Sequence, residues 1–152
     1  MAIDLRTLFD AVESYQEASG FFDRVARHEP KAEPGGGLSA ANWFNRVSPL
    51  PAGSGLQATT GRIELVTRIY TNMLAEPADS LDPELYDAVD HLMAAYSADF
   101  TLGGVCRNID LLGAFGEPLQ GRAGYLNQRG VLYRVFDLVC PLIVNDAWPQ
   151  IP

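Results

Sequence analysis

The nucleophilic and metal chemistry open to this sequence turns on few side chains, chiefly His28, His91, Cys106 and Cys140. A serine or cysteine nucleophile needs a base within hydrogen-bond reach. His28 stands just before a stretch rich in proline and glycine, and His91 falls in a helical pattern; neither has a motif around it. The serines lack the G-x-S-x-G turn that exposes a nucleophile. Asp87 and His91 lie four apart on one helix face, with Asp90 nearby. A metal needs three or four ligands, so this single pair reads as an ordinary acid–histidine contact on a solvated face. Gly35-Gly36-Gly37 and Gly53-Ser54-Gly55 lack the lysine of a P-loop and the strand and helix of a dinucleotide fingerprint. Gly103-Gly104 reads as a helix exit. The expectation is a protein that is not an enzyme, with no catalytic, cofactor-binding or metal residues and no cofactor.

Charge and length narrow the classes further. The chain has 152 residues and a formal net charge of -8, with one lysine, Lys31, among 11 basic residues. Affinity for phosphates comes from clustered Lys and Arg, so the balance argues against a protein that seeks nucleic acid. Hydrophobic residues make up 47% and charged residues 20%, which excludes a disordered tail. The apolar runs are too short and interrupted to span a bilayer. Residues 1–16 carry acids at helical spacing instead of a basic region before an apolar stretch, so no signal peptide is expected. Cys106 and Cys140 sit in apolar, strand-like surroundings that suit small buried thiols better than a disulfide.

The elements that position these residues follow from periodicity. Leu5, Leu8, Phe9, Val12 and Tyr15 recur at the spacing of one helical face over residues 4–19, with Asp4 as N-cap and Gly20 past the end. A short strand is expected over 21–28. Residues 29–40 are a breaker-rich loop, followed by extended segments over 41–48 and 59–72. In the latter, Ile63, Leu65 and Ile69 alternate with Arg62, Glu64 and Arg68, while Val66 and Tyr70 partly cover the charged side. A second helix starts at Asp82-Pro83, with Leu85, Val89, Leu92, Met93 and Tyr96 as its buried stripe. Strands are expected over 105–112, 121–127 and 131–144, the last two joined by the turn Asn127-Gln128-Arg129-Gly130. The third is apolar on both sides, as a central strand would be. The order α-β-β-β-α-β-β-β predicts one α+β domain over 1–152, a mostly antiparallel or mixed sheet with both amphipathic helices on one face.

Two features call for a partner. The breaker-rich excursion at about 29–61 encloses Trp43, Phe44 and Val47, aromatic and apolar residues that need a cover. Trp43, Phe44, Val47, Leu50 and Leu56 are therefore candidate residues for contact with a second subunit, although the chain's own sheet is the alternative cover. Between Arg68 and Arg107 there is no Lys or Arg, yet Glu76, Asp79, Asp82, Glu84, Asp87, Asp90 and Asp99 all fall there. Such a run is commonly a solvated face with acids near a helix start; the sharper reading is a surface that repels another polyanion.

From residue 41 onward the chain resembles the tail terminator proteins of long-tailed, siphovirus-type bacteriophages, particularly those infecting actinobacteria. The resemblance lies in ANWFNRVSPLPAGSGLQATTGRIELVTRIYTNML, LDPELYDAVDHLMAAYSADFTLGG and RNIDLLGAFGEPLQGRAGYLNQRGVLYRVFDLVCPLIVNDAWPQI, and in the order of RIYTN, NIDLLG, AGYL and YRV within them. It implies a structural virion protein of the tail–neck junction, made in the host cytoplasm. Such a subunit assembles with copies of itself into a homohexameric ring that caps the tail tube and stops its polymerisation. The ring also meets the tail tube protein and the head-side connector or neck protein, and DNA passes through it without specific binding or any membrane. On that implication Glu76, Asp79 and Asp82 are candidate channel-facing acids. Another neck or head-completion protein, or a small α+β ligand-binding domain, are the alternative readings.

Overall fold

In the computed structural model, residues 4–26, 38–51, 55, 58–72, 81–128 and 130–150 are described. The first helix, α1 (Leu5–Ser19), begins where Asp4 accepts hydrogen bonds from the Arg6 and Thr7 amides at 3.1 and 3.2 Å. It ends at Gly20, whose φ of 75° reverses the chain in a conformation that glycine adopts without a Cβ clash. Then follow β1 (Phe22–Ala26), β2 (Leu38–Pro49), β3 (Ala58–Asn72), α2 (Leu81–Ala98), β4 (Asn108–Ile109), β5 (Gln120–Gln128) and β6 (Val131–Pro149). The element order is the one the sequence predicts, and the class is α+β with helices on one face of the sheet.

The strands make one sheet in the order β1-β2-β3-β6, with β4 and β5 both on the outer side of β6. Only β1 and β2 run parallel; every other pairing is antiparallel. The strand expected to be central is central: β6 pairs with β3 from Asn72↔Tyr133 to Ala58↔Pro149. Alternation then divides its side chains. Leu138, Cys140 and Leu142, opposite Thr67, Leu65 and Ile63, face the helices. Leu8 and Val12 from α1 and Leu85, Ala88, Leu92 and Tyr96 from α2 close that layer, all buried.

One buried polar group interrupts it. Gln16 is fully buried and its Nε2 donates to Asn42 Oδ1 at 2.8 Å and Thr67 Oγ1 at 3.1 Å. Asn42 Nδ2 donates back to Gln16 Oε1 at 2.8 Å, and Thr67 Oγ1 donates to Asn42 Oδ1 at 2.6 Å. The Tyr96 hydroxyl lies at 3.4 Å from Gln16 Nε2, so α1, β2, β3 and α2 all meet at this knot. Buried amides without partners would cost free energy; here each has one.

Three expectations are corrected. The strand expected over 41–48 forms between β1 and β3 but spans residues 38–49, starting inside the loop expected over 29–40; residues 27–37 lie outside the described residues. The strand expected over 105–112 shrinks to Asn108–Ile109. Leu102, Gly103 and Gly104 adopt positive φ before it, and Asp110 turns the chain after it by accepting the amides of Ala114 and Phe115 at 2.8 and 3.0 Å. Lastly, α2 begins at Leu81, which puts Asp82 inside the first turn instead of at the cap.

Candidate functional site

The side of the sheet away from the helices carries the concentrated polar chemistry. Its residues are the alternate set of the same strands: Trp43 and Asn45 from β2, Arg62, Glu64, Val66 and Arg68 from β3, Asp137 and Val139 from β6, and Gln120 and Arg122 from β5. A β-bulge between Phe44 and Arg46 adds a residue to β2 and lets Asn45 Nδ2 donate to Glu64 Oε1 at 2.9 Å. Two open hollows lie along this face, of about 480 and 360 Å³, sharing Asn45, Glu64 and Glu117 as walls. Together they form one groove.

Ion pairs organise its floor. Arg68 grips Asp137 with both Nε and Nη2, at 2.8 and 3.0 Å, and its guanidinium lies 5.4 Å from the centre of the Trp43 ring. This is the two-pronged geometry that favours arginine over lysine. Arg62 is 8% exposed; its Nη1 reaches Glu64 at 3.3 Å and its Nη2 donates to the Glu117 carbonyl at 2.9 Å. The Nε of Arg62 is buried without a hydrogen-bond partner among the described residues. The loop passes over it at Gly116, where a Cβ would stand 3.1 Å from the guanidinium carbon. Arg46 and Arg122 line the two hollows, are exposed, and make no ion pair among the described residues.

Asp137 and Glu64 of the groove are paired with Arg68 and Arg62, and no thiol or histidine lines either hollow. No cluster of three metal-ligating side chains occurs among the described residues. Cys106 and Cys140 are free and buried on the helix side. Burial pushes the Cys106 thiol up to about 11 and that of Cys140 higher still, so neither supplies a thiolate near neutrality. His91 is exposed on α2 and its ring lies 5.5 Å from that of Phe21, a packing contact.

The residues singled out from sequence divide between the two faces. Trp43 lies on the open face, in the groove wall. Phe44 turns the other way and meets Phe9 of α1 edge-on, ring centres 4.3 Å apart, so its own subunit covers it. Leu50 is likewise covered, at 6% exposure, with its amide donating to the Thr60 carbonyl at 2.7 Å. Val47, opposite Ile63 and so on the helix side of the sheet, stays 44% exposed. Leu56, Glu76 and Asp79 lie outside the described residues, and of Asp82 only the helical backbone is described. Sequence reading missed Asp137 and Arg122 as partners of the groove. Asp137 carried the signal, as the lone charged residue of the stretch 135–144 within β6.

No family model matches the chain, and no curated protein does. No described helix is long and apolar enough to cross a membrane.

Proposed function

We propose that this chain is a structural subunit that assembles with copies of itself into a ring, of the tail-terminator type that the sequence resembles. In that reading a homohexamer caps a phage tail tube, ends its polymerisation and presents a face to the head-side connector. The observation that carries it is the open sheet face, a groove of ion pairs beside the Trp43 ring. Such a surface suits recognition of another macromolecule better than turnover of a small one. The net charge of -8 fits a ring through which DNA slides without adhering, since like charges repel. Glu76, Asp79 and Asp82 are the acids assigned to that inner wall.

The test is assembly in solution. Native mass spectrometry of the purified protein should give a closed oligomer, six copies on this reading, and adding it to polymerising tube subunits should fix the tube length. A protein that stays monomeric at every concentration sinks the proposal. One that binds connector but leaves tube growth unchanged belongs to the head-completion reading instead.

A further inference from the structure

The two layers of this subunit carry opposite uncommitted charge. In the groove each carboxylate already has a partner: Asp137 is held by Arg68, Glu64 by Arg62 and Asn45, and Glu117 accepts from Gln120 Nε2 at 3.1 Å. Arg46 and Arg122 make no ion pair among the described residues, and Glu117, whose side-chain partner is the neutral Gln120 amide, lies between them. Across the molecule, α2 contains no Lys or Arg. Asp87 and Asp90 are exposed and make no ion pair among the described residues, and Tyr86 beside them is 47% exposed while its ring edge meets Phe136 of the same chain at 6.5 Å. We propose that copies of this chain pack head to tail, the outward face of α2 around Tyr86, Asp87 and Asp90 seating in the arginine-flanked groove of the next copy.

Dimensions and chemistry agree. Arg46 on β2 and Arg122 on β5 are three strand spacings apart and offset by four residues along β6, which places them roughly 20 Å apart. The 18 residues of α2 make a rod of about 27 Å that can lie across that span, with Asp87 and Asp90 about 5 Å apart along it, so both arginine side chains reach inward to meet them. Between the arginines, Val66, Val139 and the Trp43 ring give an apolar floor for Tyr86. The rim charges set orientation and encounter rate, while the aromatic contact in the middle resists water. Donor and acceptor surfaces lie on opposite layers, so the contact joins unlike patches. Each copy then offers its groove and its helix to two neighbours, a heterologous contact that closes into a ring where the rotation between copies returns to the start. The inference rests on the assembly reading above and assigns its contact surfaces.

Charge reversal with mixing tests it. One variant carries Arg46→Glu and Arg122→Glu, the other Asp87→Arg and Asp90→Arg; all four residues are exposed, and circular dichroism checks that each variant folds. By analytical ultracentrifugation each variant alone should sediment as a monomer at a concentration where the wild type is assembled. An equimolar mixture should recover the assembled species, because every junction in an alternating ring again joins opposite charges. Variants that assemble as the wild type does, or a mixture that stays monomeric, overturn this pairing and leave the ring reading standing. A wild type that never assembles overturns both.

Discussion

Adjacent residues of β3 live in different worlds. Ile63, Leu65 and Ile69 are fully buried under two helices, while Arg62, Glu64 and Arg68 point into a groove where Arg62 pairs with Glu64 on the same strand and Arg68 with Asp137 of β6. The helix side contains one polar knot, around Gln16, and is otherwise closed by apolar packing. The open side holds a smaller apolar cluster at one end, with Tyr70 and Tyr133 edge-on at 6.5 Å, and charge pairs along the rest. The comparison teaches a division of labour. One face supplies stability through burial, and the other is kept accessible by making its own charges satisfy one another.

Substitutions that break this contrast should rank accordingly. The largest effect belongs to Leu142→Ala, which opens a cavity beneath both helices and should cost roughly 2–5 kcal/mol in urea denaturation. Gln16→Leu comes next: it removes the acceptor of Asn42 Nδ2 and a donor to Asn42 Oδ1 and Thr67 Oγ1 in the core, at roughly 1–3 kcal/mol. If Gln16→Leu raised the melting temperature instead, the knot would be a frustrated site and the helix side less optimised than claimed. On the open side Arg68→Ala should cost only about 1 kcal/mol, because the pair is a quarter to a third exposed and partly screened. Its loss should shrink further in high salt.

A pH titration sharpens the same comparison at the margin of the helix layer. The Tyr15 hydroxyl donates to Asp99, which holds that carboxyl below its ordinary range and the Tyr15 phenol above its own. The Asp99 contribution is present above about pH 4, where the carboxyl of the unfolded chain is ionised, and is lost as pH falls through the lowered folded value. The raised Tyr15 contribution is present below about pH 10 and is lost as pH climbs past it. Tyr15→Phe should therefore flatten the acid limb of stability and leave the middle of the range level. The smallest effect is a rate: both thiols should resist a thiol-specific reagent in the native protein and react once urea unfolds it.

What the sequence made legible was whatever repeats locally. The stripes of α1 and α2, the alternation along residues 59–72 and the two-sided apolarity of β6 each have a period that can be counted. Phe44 and Trp43 show the limit. Both were candidates for contact with another chain, and adjacent strand positions sent one under α1 and the other into the groove. The bulge between Phe44 and Arg46 could not be foreseen, since it shifts register by one residue without a glycine or proline to mark it. Nor could the groove itself, because Arg68 and Asp137 are 69 residues apart and only the β3–β6 pairing unites them. The strand expected over 105–112 differs for the same reason: an apolar stretch reads as a strand until buried Asp110 is seen capping the amides of a turn.

The placing of β6 has a consequence in time. It follows every other element in the chain, yet it is the strand against which β3, β4 and β5 all pair. While a ribosome is still making the chain, β3 has one hydrogen-bonded neighbour, and Ile63 and Leu65 lack the Cys140 and Leu142 that complete their layer. Contacts so distant in sequence form late and slowly. Nascent chains therefore carry a bare strand edge, and a polysome crowded with them is where aggregation would start, before any finished subunit exists to meet a neighbour.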